Sequence, residues 1–452
     1  MIQNERIEKL NDKSLKNGKY VLYWMQSSQR DHFNHALEYS ILKANELQKP
    51  LIVYFGITDK FPEANRRHYY FMLVGLKDVK ASLEDRNIEM IILTQSPEIG
   101  AIRLSKKASL VIVDAGYLKI ERKWRNFVAK HVECPLIQVE TNVIVPVKTA
   151  SPKEEYSAAT FRRKINKVLD KFLIPLENNY PEISSEDFDF ESVNIKNIEN
   201  LIKSLNINEN VIESKYFHGG NNEALKHLND FINNKLEKYG EFKNDPNKDY
   251  LSNMSPYLHF GQISPLFIAL EVLNSNASGK EAFLEELIVR RELSMNFVYY
   301  NSDYDSFKGI PDWAKNTLLE HENDKRVPIY SLKELENAAT GDPYWNASQK
   351  EMMITGKMHG YMRMYWSKKI LEWVQNPEEA YKIALYLNNK YEIDGRDPNG
   401  FTGVAWCFGK HDRAWKEREI FGKVRYMNAN GLKRKFDADG YVEKIMKYSN
   451  NI

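Results

Sequence analysis

The chain has 452 residues, 42% hydrophobic and 28% charged, with a formal net charge of +2. That is enough apolar material for more than one packed core, which excludes wholesale disorder, and too little net charge for bulk attraction to a polyanion. Cys134 and Cys407 stand too far apart for a disulfide framework or a cysteine metal cluster, no apolar run is long enough to span a bilayer, and the start M-I-Q-N-E-R-I-E-K-L-N-D-K lacks the apolar core of a signal peptide, so a soluble, cytoplasmic, metal-free protein is expected.

In chain order, the strand candidates are Tyr20–Met25, Leu51–Phe55, Glu89–Leu93, Leu110–Asp114 and Leu136–Val139. Amphipathic stretches at Asp31–Leu47, Arg66–Leu83 and Lys119–His131 lie between them. Apolar strands alternating with helices predict a parallel sheet covered on both faces, a Rossmann-like α/β layer. Neither G-x-G-x-x-G nor a Walker A loop is present, so the usual phosphate fingerprints are missing. The polar stretch P-E-I-S-S-E-D-F-D-F-E-S, Pro181 to Ser192, and the Asn-rich sequence after it read as a surface linker. This divides the chain into an α/β domain over 1–178, a linker over 179–215 and an all-helical domain over 216–452. The clearest long helices of the last part are Glu281–Tyr300 and Lys350–Val374.

Four stretches of the helical part carry chemistry. In L-S-N-M-S-P-Y-L-H-F-G-Q-I-S-P, Ser255 and Ser264 each precede a proline. Serine at the N-cap with proline at the first helical position marks a helix start, whose free N–H groups favour anions. In E-E-L-I-V-R-R-E-L, Glu286 and Arg290 have the spacing of an exposed i,i+4 pair, yet the apolar surroundings turn at least one charge of the segment inward. Trp366 and Trp373 lie seven residues apart, two helical turns or roughly 10 Å, a spacing that serves core packing and electron transfer alike. From Gly409 to Lys435, Lys and Arg outnumber Asp and Glu nine to three, with Trp415, Phe421 and Tyr426 interleaved. Basic side chains contact phosphates, and aromatics fill the gap left by a displaced base.

Taken together and in this order, these stretches resemble the photolyase/cryptochrome family, specifically its class II cyclobutane pyrimidine dimer (CPD) photolyases. The resemblance rests on S-N-M-S-P-Y-L-H-F-G-Q-I-S-P, E-E-L-I-V-R-R-E-L, M-H-G-Y-M-R-M-Y-W, L-N-N-K-Y-E-I-D-G-R-D-P-N-G and H-D-R-A-W, and on Y-W-M-Q-S-S-Q-R-D-H-F-N-H-A-L near the start. It implies an α/β antenna domain, a helical domain that binds FAD, and light-driven repair by electron transfer from excited, reduced, anionic FAD to a dimer flipped out of double-stranded DNA.

Residue by residue, the resemblance implies FAD contacts from Ser252, Asn253, Met254, Ser255, Arg290, Arg363, Asp394 and Asp397, with Asn388 near flavin N5. It implies an electron path from an outermost Trp373 through Trp345 to Trp366, and a dimer-bonding carboxyl at Glu286. Met364, Trp406 and Asn244 would contact the dimer, Asp412, Arg413 and Trp415 would enter the gap in the duplex, and Arg425 would meet what is left behind. Two departures stand out: Lys243 precedes N-D-P where the family has Arg, and the segment from Trp406 to His411 is one residue short. Lysine keeps the charge but loses the two-pronged donor. A second chromophore such as a deazaflavin fits the α/β domain by the same resemblance, and a monomer with no obligate protein partner and no membrane contact is expected. The alternative is a cryptochrome-like photoreceptor without repair; the retained Glu286, Met364 and Trp406 speak for repair.

Overall fold

A computed structural model of the chain describes residues 2–188 and 190–449. Strands β2 (Tyr20–Trp24), β3 (Leu51–Gly56), β4 (Glu89–Leu93), β5 (Ala108–Asp114) and β6 (Leu136–Val139) occupy the expected apolar runs and pair in parallel. A short strand that periodicity does not reveal, β1 (Ile7–Lys9), adds antiparallel to β6. With three residues, two of them charged, it has no apolar alternation to read. The order is β1-β6-β5-β2-β3-β4, so connections leave β2 in opposite directions and a crevice opens beyond its carboxyl end. Every residue of β2, β3 and β5 is buried, because helices His35–Glu46, Arg66–Glu84, Pro97–Ser105 and Lys119–His131 cover both faces.

The linker is a strap. Ile195, Leu201 and Ile202 are buried in the sheet's own core, Val193 N–H donates to Ile92 O at 2.7 Å, and Arg66 pairs with Glu199, Glu209 and Glu213. The two halves also share core: Val143 and Val147 belong to one cluster with Trp345 and Trp366, and Phe71, Ile144 and Phe161 to another with Phe231 and Tyr257.

Two helical expectations need correction. Lys350–Val374 is not one helix but the end of Pro343–Thr355 followed by Gly360–Trp373. Gly356 turns left-handed (φ 81°), and a Cβ there would lie 2.7 Å from Ile393 Cγ1, so glycine is required by both conformation and space. The apolar pattern runs on across the break and hides it. The second segment, Glu281–Tyr300, contains a π-helical stretch, Glu285–Arg290, between Lys280–Leu284 and Arg291–Tyr300. Its wider turn abolishes the expected Glu286–Arg290 pair; Arg290 instead meets Glu285, five residues back, at 3.3 Å.

Candidate active site

Two adjoining clefts open in the helical half. The first, about 1110 Å³, is lined by Ser252, Asn253, Met254, Ser255, Glu286, Arg291, Lys357, Arg363, Asp394 and Asp397. The second, about 1260 Å³, is lined by Lys243, Asn244, Glu286, Arg290, Arg363, Met364, Trp406 and His411. Glu286 and Arg363 belong to both walls. The π turn produces this arrangement, since it puts Glu286 at the junction and leaves Arg290 in the second cleft only. Arg290 therefore does not stand with the first-cleft residues where it was expected. Arg291 does, donating to Asn142 O at 2.9 Å.

Helix ends supply the first cleft. Ser255 is the first residue of Ser255–His259 and not its N-cap, which is Met254; Ser264 does cap Pro265–Asn274, accepting from Phe267 N–H. Asp397 caps Pro398–Cys407 by accepting from Asn399 N–H at 2.8 Å, and it faces His259 Nδ1 at 3.3 Å. Arg363, one turn into Gly360–Trp373, reaches Asp394 at 3.2 Å and Glu392 at 2.9 Å. Burial works to raise Asp394, but the Arg363 cation and a Ser255 hydrogen bond outweigh it and hold the carboxyl below its usual range. Glu392 goes the other way: burial and the charge of Asp394 raise it, against the pull of Arg363. Burial lowers Lys357, and it pushes His359 down to about 3. Because His359 Nδ1 accepts from Tyr361 N–H, the neutral ring carries its proton on Nε2.

Among the described residues three buried atoms lack a protein partner here: Arg363 Nε in the wall of this cleft, Asn388 Oδ1 behind it, and His359 Nε2 in the wall of a neighbouring pocket with Glu351 and Thr355. Asn388 is not itself a lining residue. It lies behind the turn that begins at Asp394, its Nδ2 donating to Asn389 Oδ1 at 3.1 Å and resting where a Cβ on Gly400 would be 3.1 Å away.

The tryptophans form one packed row. Trp345 stacks on Trp366 at 6.3 Å between centroids and 8° between planes, and meets Trp373 edge-on at 5.6 Å. Trp366 Nε1 donates to Gln349 Oε1 and Trp345 Nε1 to Trp366 O, which fixes both rings. Trp373, expected outermost, is itself buried; the half-buried Tyr330 covers it at 5.1 Å and extends the row outward.

In the second cleft Lys243 Nζ donates to Glu286 Oε1 at 2.7 Å, so the departure at Lys243 falls on the carboxylate that both clefts share. Trp406 and Met364 line one wall. Fully buried Lys368 lies 5.8 Å from the Trp406 ring and donates to Cys407 O, and burial lowers its ammonium to about 8. Beyond the mouth, Trp415 is 40% exposed, with Arg413 and Arg425 each 5.1 Å from its ring. Arg425 also stands 5.9 Å from Trp406, and Asp412 accepts from Trp415 Nε1. The structure thus gathers Asp412, Arg413, Trp415 and Arg425 beside the cleft holding Asn244, Met364 and Trp406.

A third cavity lies at the sheet's crevice, between the halves. Gln26, Gln29, Phe61, His68, Trp124, His259, Phe260 and Arg396 line it. Gln29 Oε1 and Arg396 Nε are buried there without partners among the described residues. Among the described residues no group of three or more His, Cys, Asp or Glu side chains is arranged to hold a metal, and no helix is long and apolar enough to cross a membrane.

Comparison with known proteins decides the family. A model of the DNA photolyase family matches residues 21–182. The deoxyribodipyrimidine photo-lyase of Methanothermobacter thermautotrophicus is 55% identical over 98% of this chain and 99% of its own. The chain belongs to the DNA photolyase family. The photo-lyase of Arabidopsis thaliana is 42% identical over 94% of this chain and 88% of its own. The fold also matches the solved structure of an archaeal photolyase from Sulfolobus tokodaii, described as having two FAD molecules and implying a novel light-harvesting cofactor (TM-score 0.70, 18% identity, 93% and 88% coverage).

The chain is therefore a DNA-repair flavoprotein of the deoxyribodipyrimidine photo-lyase kind, and the photolyase fold of an α/β layer followed by a helical domain is the one observed. The first cleft fits FAD on its own evidence. Three cations, helix ends and the orphaned Arg363 Nε suit phosphates and a polar ring edge, and the orphaned Asn388 oxygen suits an N–H donor. Sequence reasoning did not single out Glu392, Lys357 or His259 here; Arg291 belongs to the E-E-L-I-V-R-R-E-L segment, of which at least one charge was expected to turn inward. Glu392 had a signal, since it stands two residues before Asp394 in Y-E-I-D-G; Lys357 and His259 became visible only through their contacts.

Proposed function

We propose that the chain repairs cyclobutane pyrimidine dimers in double-stranded DNA, with FAD in the first cleft and the flipped dimer in the second. The observation that carries this reading is the shared wall: Glu286 and Arg363 line both clefts, so the occupants meet across a single layer of side chains. Bound there in its reduced, anionic form, FAD would supply light-driven one-electron chemistry, under blue or near-UV light, for opening the cyclobutane ring. Ser252, Asn253, Met254, Ser255, Lys357 and Arg291 hold the phosphates and ribityl chain, while Arg363, Asp394 and Asp397 fix the ring. Glu286 hydrogen-bonds the dimer. Lys243, joined to it at 2.7 Å, keeps that carboxylate in place until a dimer arrives. Trp406 and Met364 pack on the flipped bases, which unstack at lower cost when damaged. Trp415, flanked by two guanidiniums, fills the gap. Trp373, Trp345 and Trp366 would form the path for an electron moving inward to the cleft, and Tyr330 lies at the outer end of that row.

A second, aromatic chromophore such as a deazaflavin belongs in the interdomain cavity. Trp124, Phe61 and Phe260 offer ring faces there, and Gln29 and Arg396 offer unpaired polar atoms. The S. tokodaii structure, with its two FAD molecules, supports a light-harvesting site in this fold.

The test is dimer repair by the reduced protein on UV-damaged oligothymidine in blue light, followed by return of the thymine absorbance. Recovery only in the light is expected. A yellow, photoreducible protein that leaves the dimer intact would replace this reading with that of a photoreceptor. Glu286→Ala is expected to lower repair at least tenfold with normal flavin content; unchanged repair would remove Glu286 from the mechanism.

A further inference from the structure

A groove with no role in the two clefts runs along the Lys119–His131 helix. That helix turns Lys119, Arg122, Lys123, Phe127 and Lys130 to one side, at steps of three and four residues, and the groove is closed opposite by the end of Arg291–Tyr300 and the turn after it. Its volume is about 900 Å³, and among the described residues no carboxylate lines it. Asp305 at the rim takes Lys119 at 2.5 Å, and Arg122 is held by Tyr299 O at 2.8 Å and lies over the Tyr299 ring. The side chains of Lys123 and Lys130 make no ion pair or hydrogen bond among the described residues. Phe127 is 40% exposed between them.

A solvated helix face ordinarily mixes both signs of charge; this one carries a single sign along a concave surface. The groove is also joined to the lesion-side machinery. Asn301, at its edge, donates to Glu154 Oε2 at 3.1 Å; Glu154 is paired with Lys410; and Asp412, two residues on, accepts from Tyr156 at 3.2 Å. From Lys119 to Lys130 the helix covers roughly 16 Å, about the axial rise of five base pairs.

We propose that this groove holds the phosphate backbone of the duplex flanking the lesion, on one side of it only, as an extension of the interface read above. It rests on that reading for the position of the lesion but not for the contact itself, because phosphates are bound without regard to sequence or damage.

Lys123→Ala/Lys130→Ala is the test, since both residues are exposed on a helix and neither belongs to the clefts. Binding would be titrated against salt on three duplexes: 30 base pairs undamaged, 30 with one central dimer, and 10 with one dimer. For both long duplexes, losing two phosphate contacts is expected to reduce the slope of log K against log salt by roughly 1.8, so the variant forfeits about tenfold less affinity between 50 and 200 mM salt. The 10-base-pair duplex and its repair should be unchanged. Long duplexes extended on one flank only should show the loss for one flank and not the other. Unchanged slopes on both long duplexes overturn the proposal, as does an equal loss on the short one, which would put the lysines at the lesion or in the fold. Failure of the wild-type protein to prefer the dimer on any duplex overturns the repair reading instead, while the slope on undamaged DNA still decides the groove.

Discussion

The interdomain cavity and the first helical cleft are built by opposite means. The cavity uses strand ends, amide side chains and aromatic faces, with Arg396 the one guanidinium in its wall. The cleft concentrates charge: Arg363 pairs with the buried carboxylates of Glu392 at 2.9 Å and Asp394 at 3.2 Å, with Lys357 in the same wall. Such a cluster survives only while its charges balance, so the cleft's occupant is part of the protein's own electrostatics. The cavity carries fewer charged side chains in its wall.

Removing the central cation should break the cleft outright. Arg363→Leu leaves Glu392 and Asp394 without their partner, at a cost of about 3–5 kcal/mol. Thermal unfolding should show a large drop, and the purified protein should be colourless; a stable, yellow variant would mean the cleft tolerates imbalance. The seam between the halves gives the next effect. Glu292 accepts from the backbone N–H groups of Ile144 and Val145, and burial raises it to about 7. The folded protein therefore binds more protons than the unfolded chain between pH 4.5 and 7. This group's contribution, on the order of 3 kcal/mol, is complete below 4.5 and lost as pH rises through 7. Denaturant titrations across that window should show a shallower decline in Glu292→Gln. In the tryptophan row, Trp366→Phe should cost roughly 1–2 kcal/mol, from lost volume and an unpaired Gln349. It should block photoreduction of oxidised FAD while sparing repair by chemically reduced protein, and normal photoreduction would place the electron path elsewhere. The smallest effect belongs to the cavity. Gln29→Leu removes an unpaired buried carbonyl and should change stability by less than about 1 kcal/mol, while weakening reconstitution with a deazaflavin, read from flavin fluorescence excited in the deazaflavin band.

The α/β half was legible as a fold, because β2, β3 and β5 are apolar along their whole length and bounded by turns; β1 was too short and too polar to register. Chemically this half was silent, since Gln26, His68 and Trp124 come from separate crossovers and meet only at the crevice. The helical half showed the reverse. Glu286, Arg363, Asp394 and Trp366 could be named in advance, yet the break at Gly356 and the π stretch at Glu285–Arg290 could not, because apolar periodicity continues through both. Those two irregularities decide where the named residues stand. The π stretch moves Arg290 out of the first cleft and installs Arg291, and the break sets His359 at the start of the helix that carries Arg363.

The strap after the α/β half has a topological consequence. Because Arg66, Ile92 and the sheet core grip residues 193–213, covalent continuity before that segment adds little to the union of the halves, which the shared core already secures. A protease cut among the exposed residues near Tyr180 and Ile183 should leave a nicked particle that elutes as a single species and keeps its colour. The same loop is where the chain could be reopened to new termini while both clefts stay intact.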